Sequence, residues 1–149
     1  MRIVQCLVIF MMTILWSLCS PVGKLTPEKD RAAKSLEPSA DKALVYIVRP
    51  PKYGKTVMHV YVDGKYLGTT ASARYLYVLL DPGIYKFESD AENISELLMQ
   101  VEPGKTYFIE QKVKMGILQQ RNELIRLNEK EGRSKLSQCA LSSEFNENW

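Results

Sequence analysis

The sequence predicts an all-β domain of about seven short strands, a sandwich or a small barrel, closed by a short C-terminal helix. Three observations lead there. Branched and aromatic runs recur at short spacing from Ala43 onward. One of them, TVMHVYV (Thr56 to Val62), alternates, with Met58, Val60 and Val62 on one face and His59 and Tyr61 on the other. Between the runs stand turn formers: Asp63-Gly64, Asp81-Pro82-Gly83 and Glu102-Pro103-Gly104. Strands punctuated this often suit a sandwich better than a parallel sheet with crossover helices.

At 149 residues the chain has room for one ordinary domain. Its first segment differs in kind from the rest. Met1-Arg2 precede an uncharged, mostly apolar run from Ile3 to Leu18, and Cys19-Ser20-Pro21 follow. One cation, an apolar run and small residues form the plan of a secretory signal, assigned here to residues 1–19. The run is slightly short of the roughly 20 apolar residues that span a bilayer, so cleavage is favoured over an uncleaved signal anchor. Cys19 stands where a lipid-attachment cysteine would stand. Ser17 fits that chemistry, whereas Leu18 is bulkier than the usual Gly or Ala, so lipidation and ordinary cleavage near Cys19 both stay open. Residues 20–42 hold three prolines, many charges and little aliphatic weight, which predicts a flexible or partly helical linker.

The β domain is assigned to residues 43–138. Its first run, Leu44 to Arg49, stops at Pro50-Pro51, which cannot continue a ladder. Asp63-Gly64 is the favoured two-residue hairpin turn, so Asp63 is read as a turn residue and not a catalytic acid. In the two later turns Pro82 and Pro103 preset φ, and Gly83 and Gly104 take the left-handed position. Further runs cover Tyr75 to Leu80, Ile84 to Glu88, Glu96 to Val101, Thr106 to Val113 and, weakly, Glu123 to Leu127. Asn128 is a plausible N-cap with Glu131 three residues on, the pattern of a short helix, which Gly132 weakens. Residues 139–149 are assigned to a disordered tail.

Candidate chemistry is sparse. Lys plus Arg exceed Asp plus Glu by 20 to 17, too balanced and too dispersed for a nucleic-acid protein. The single histidine, His59, has no nucleophile pair in the sequence. Two Gly-Lys-Thr triplets, at Gly54 and Gly104, lack the earlier glycine of a phosphate-binding loop. The eight tyrosines lie between Tyr46 and Tyr107, where they suit half-buried strands, with an aromatic glycan platform as the sharper alternative. Cys139 is expected to be an unpaired structural thiol; pairing with Cys19 is the rival. Arg49, between a branched strand and a double proline, is read as satisfying carbonyls or a carboxylate at the strand end, with anion or partner recognition as the functional reading. No cofactor and no metal are implied.

The strings LVYIVRPPKYG, VYVDGKYLG, LDPGIYKFES, VEPGKTYFIE and LNEKEGRSKL together resemble a bacterial domain family of unknown function, number 2846, over about Ala43 to Leu136. V-x-V-D-G-x-x-x-G and P-G-x-Y are also similar to PEGA and transthyretin-like domains. The resemblance implies a prealbumin-like antiparallel sandwich in an exported protein, often a lipoprotein, and brings no catalytic residues. The expectation is therefore a non-enzymatic interaction or scaffold module, exported to the bacterial cell envelope. It would meet the membrane through lipid on Cys19 or a signal anchor, with an envelope protein as partner and no nucleic acid; a subunit of an envelope complex, adding an exposed edge strand to a partner's sheet, is a third possibility. The alternative is a glycan- or peptidoglycan-binding module, or an envelope enzyme, using the face of His59 and Tyr61.

Overall fold

The computed structural model describes residues 25–52, 56–118 and 120–149. The assigned signal 1–19, with Cys19, lies outside them. Among the described residues nine strands form two sheets: β1 (Ala43–Arg49), β2 (Met58–Val62), β3 (Lys65–Thr70), β4 (Arg74–Leu80), β5 (Gly83–Asp90), β6 (Ile94–Val101), β7 (Thr106–Met115), β8 (Gln120–Leu127) and β9 (Ala140–Leu141). The five-stranded sheet has the order β8-β7-β1-β4-β9 and the four-stranded sheet the order β3-β2-β5-β6. The sandwich is thus present, with more strands than the sequence counted. It is also not wholly antiparallel, since β1 runs parallel to β7 and β4 parallel to β9.

Alternation builds the core. Val45 and Ile47 from β1, Val60 and Val62 from β2, Phe87 from β5 and Ile109 from β7 meet between the sheets, all fully buried. A side chain of that kind gains roughly 1.5–3 kcal/mol on leaving water. β1 is buried along its whole length, so its other face must be covered too. Two helices cover it: α1 (Pro27–Lys34) and α2 (Glu129–Ser137). Beneath them lies a second cluster of Leu44, Tyr46, Val48, Tyr75 and Phe108, with Ala33, Leu136, Cys139 and Leu141 packed on it. The molecule has three layers, helices on sheet on sheet.

Two expectations are corrected here. From Leu25 onward the segment read as a flexible or partly helical linker is helical over Pro27–Lys34, as the second of those readings has it, but docked on the sheet and not flexible. Thr26 caps α1 and Pro27 opens it, a position where the missing N–H costs nothing. The Tyr46 hydroxyl donates to the Ala33 carbonyl at 2.6 Å and the Tyr75 hydroxyl to the Asp30 carbonyl at 3.2 Å. Asp30 in turn accepts the Leu141 amide at 2.8 Å and the Lys34 ammonium at 2.9 Å. The segment's own apolar content is small, but the sheet beneath supplies the apolar surface. The tail is likewise not disordered. β9 extends the five-stranded sheet, and Phe145 bridges to Gly68, where a side chain would meet the Glu144 carbonyl oxygen at 2.5 Å.

The turns place the strands. Asp63 and Gly64 both take positive φ, 49° and 76°, the mirror-image turn that suits the twist of the β2–β3 hairpin. The Asp63 carboxylate accepts the Lys86 amide of β5 at 2.7 Å, and the Asp63 amide donates to the Lys86 carbonyl at 2.8 Å. The acid beside the glycine therefore pins the hairpin to the neighbouring strand. Gly104 is left-handed at φ 69° as expected, but Gly83 is not. The Asp81-Pro82 step carries the chain from one sheet to the other instead of closing a hairpin, and Gly83 opens β5 in extended form.

Candidate functional site

The outer face of the four-stranded sheet gathers most of the residues with something to offer a ligand. His59 and Tyr61 project from β2 onto this face, and Tyr66 joins them from β3. Tyr61 and Tyr66 meet edge to face with ring centroids 5.6 Å apart, and His59 lies 6.2 Å from Tyr66. The Thr69 hydroxyl ties the group together, 2.9 Å from His59 Nδ1 and 2.6 Å from the Tyr66 hydroxyl. Across β5 the face becomes charged. Lys86 bridges Glu88 at 3.0 Å and Glu96 at 3.3 Å, and these carboxylates, Glu88 first, hold its ammonium above the usual lysine range. On one side of that bridge lie Ile84 and Leu98, 69 % and 71 % exposed, and on its other side, across the Glu88–Glu96 pair, lies Ile94, 66 % exposed.

Among the described residues β6, which carries Ile94 and Leu98, ends the sheet and has only β5 as a ladder partner, while the Leu124 amide of β8 donates to the Ser95 hydroxyl near its start at 2.9 Å. Its outward positions, Ile94, Glu96, Leu98 and Gln100, include a single charge. Edge strands are ordinarily blunted by several charges, a proline or a bulge. Tyr66, Ile84 and Leu98 were not singled out in the sequence. Period-two alternation places Leu98 opposite Met99, yet an alternating run of leucine and methionine looks apolar on both faces, so pattern alone leaves Leu98 unmarked.

Arg49 is elsewhere, inside the sandwich and 1 % exposed. One guanidinium nitrogen donates to the Thr70 carbonyl at 3.1 Å, another lies 3.5 Å from Gln120 Oε1, and Nε has no partner. Of the two structural readings, the carbonyl is observed, while no carboxylate among the described residues pairs with it. Burial alone pulls its pKa from 12.5 to about 10, so it stays charged at neutral pH. Near it the interior turns polar. Gln111 of β7 donates to the Ser89 hydroxyl of β5 at 2.5 Å and accepts the Thr70 hydroxyl of β3. Asn122 of β8 donates to the Ser89 carbonyl at 3.2 Å. All four side chains are buried, and together they join the sheets.

The remaining residues marked in the sequence stay apart. Pro82 and Pro103 sit in the sheet-to-sheet connections. Lys105 pairs with Glu102 at 2.7 Å next to Gly104. Cys139 is buried and free, donating to the carbonyls of Lys135 at 3.3 Å and Arg49 at 3.4 Å, and burial pushes its thiol up to about 12. Among the described residues no helix is long and apolar enough to cross a membrane.

The chain matches the family described as "Protein of unknown function (DUF2846)" over residues 39–123, more than half its length. The match runs from just before β1 into β8, so the outer face, the hairpin turn and the polar interior lie within it, and both helices lie outside. An uncharacterized protein of Haemophilus influenzae is 29 % identical over 132 residues, covering 87 % of this chain and 79 % of that relative. No solved structure matches.

Proposed function

The chain belongs to the DUF2846 family, and on that premise we propose that it is a non-enzymatic interaction module of the bacterial cell envelope. It binds a protein partner through the β6 edge and the apolar end of the outer face. It is held to a membrane by lipid on Cys19 or released after cleavage of the signal. The observation that carries this reading is the eight-residue β6, with Leu98 exposed beside Ile84, Ile94 exposed at its other end and one charge along its outward side. A strand of this kind offers main-chain groups and alternate apolar side chains to a partner's strand, the pattern of sheet augmentation. The apolar run before Cys19 supports export.

Two measurements test it. A photo-crosslinker at Gln100 should yield a discrete adduct in intact cells, and Leu98→Lys in the same chain should abolish it. The stability of Leu98→Lys should stay within about 0.5 kcal/mol of wild type, because the site is exposed. An adduct unchanged by Leu98→Lys sinks the docking surface. Fractionation of wild type beside Cys19→Ala addresses the tether, and a soluble distribution in both removes the lipid.

A second reading rests on the group of Tyr61, Tyr66, His59 and Thr69. Two rings and two polar atoms on one open face suit the apolar face and hydroxyls of a sugar. Binding to peptidoglycan that disappears with Tyr61→Ala, while the Gln100 adduct persists, would favour it.

A further inference from the structure

We propose that the tip of the β7–β8 hairpin dips into the surface of an anionic lipid bilayer. At the tip Met115, Ile117 and Leu118 are 97 %, 90 % and 91 % exposed, an apolar group without cover from the described residues. The tip is nonetheless held. The Glu92 carboxylate accepts the amides of Ile117 at 3.1 Å and Leu118 at 3.0 Å, which satisfies backbone donors that an apolar environment would leave unpaired. Below the tip stands a basic collar. Lys112, Lys114 and Arg121 are exposed on the hairpin, and Lys52 reaches the Val113 carbonyl at 3.4 Å. These four cations face three carboxylates: Glu92, which serves the tip amides, Glu123, which pairs with Lys114 at 2.8 Å, and Glu96, which lines the cleft beside Lys114 and Arg121 and is taken up by Lys86 at 3.3 Å. Apolar side chains above a cationic ring match acyl chains beneath anionic headgroups, and a flat protein surface offers no such order of layers.

Where the chain enters the fold points to the same occupant. The Leu25 amide bonds the Leu141 carbonyl, Leu141 pairs with Tyr75, Tyr75 with Val48 and Val48 with Glu110. Leu25 therefore stands level with Glu110, at the end of the five-stranded sheet toward which β7 carries the tip. Five further residues of β7 extend about 17 Å to Met115. Leu25 stands six positions after Cys19, a reach of about 20 Å at full extension. A chain tethered near Cys19 keeps the lipid surface within range of the tip. The proposal rests on the membrane-tether part of the reading above, and not on its partner surface.

The test uses the full chain, with Trp16→Phe and Trp149→Phe removing the background and Leu118→Trp placing one reporter at the tip. Met115→Trp serves as a second reporter; both sites are too exposed for folding to depend on them. The chain is mixed with vesicles of brominated phosphatidylcholine and phosphatidylglycerol in equal parts, or of brominated phosphatidylcholine alone, and floated. The expected result is a blue shift and loss of most of the tip emission in the mixed vesicles, with far less change in phosphatidylcholine. A chain that floats with its tip emission unquenched in both, or equally quenched in both, overturns the proposal and leaves the tether standing. A chain that does not float overturns both.

Discussion

Cys139 shows how one buried side chain can set a property of the folded state. Its thiol sits under α2 and donates to two carbonyls, and burial raises its pKa from 9.0 to about 12. Between those values the unfolded chain has lost a proton that the folded chain still holds. The stabilisation is complete below pH 9 and falls as pH rises toward 12. Tyr46, raised from 10.0 to about 12 by burial, acts with the same sign but begins later. Arg49 has the opposite sign, since its folded value lies below its unfolded one, and it acts only above about 10. The first loss on raising the pH therefore belongs to Cys139. Urea unfolding at pH 9 and pH 10 should show a fall of about 1 kcal/mol in wild type. Cys139→Ala should flatten that fall, and equal slopes in the two proteins would show that the thiol is not so enclosed.

At the scale of elements, α2 turns a propensity rule around. Alanine in place of a helical glycine ordinarily gains about 1 kcal/mol. A Cβ on Gly132, however, would lie 2.1 Å from the Phe108 ring. That ring is buried and stacked on Tyr46 at 5.5 Å, so it has nowhere to go. Gly132→Ala should therefore destabilise by about 1–3 kcal/mol in chemical denaturation, as overpacked cores do. The loss should shrink in a Phe108→Leu background, because the two sites are in contact. A stabilised Gly132→Ala would mean that α2 does not sit on the sheet. The glycine that weakened the helix in the sequence is what lets the helix approach. The same contrast runs through the whole chain. Strands with one buried face were legible because alternation reports burial directly, and Asp63-Gly64 was legible because its turn is local. The docking of α1, the strand β9 and the extended backbone of Gly83 were misread because each depends on a distant partner. α1 needs the second face of β1, β9 needs β4, and Gly83 needs to know that β4 and β5 lie in different sheets. The fully apolar β1 carried a hint of a third layer. The candidate site was legible only at His59 and Tyr61, since exposed apolar residues on an alternating strand resemble core ones.

For the whole molecule, the interior has a direction. One end of the sandwich is apolar, around Ala43, Leu80 and Val101, and the other is polar, around Arg49, Thr70, Ser89, Gln111 and Asn122. The hairpin tip stands beyond the polar end. Apolar packing between two sheets tolerates sliding, whereas Gln111 reaches Thr70 and Ser89 only when the sheets are aligned one way. The seam therefore fixes how the outer face and the hairpin stand relative to each other. Its energetics should show the asymmetry of buried hydrogen bonds. Gln111→Leu leaves the Ser89 hydroxyl without its partner and weakens the hold on Thr70, which keeps a contact to the Met58 carbonyl at 3.4 Å. The expected cost is about 1–3 kcal/mol in urea unfolding. Removing the orphaned groups as well, in Gln111→Leu with Ser89→Ala and Thr70→Val, should recover most of that loss, since no polar atom is then stranded. Losses that simply add across the three substitutions would show that the seam contributes net bonding energy, and that alignment of the sheets is secondary. Recovery of stability together with a broader spread of amide exchange rates at the polar end would identify the seam as the feature that holds the two sheets in one register.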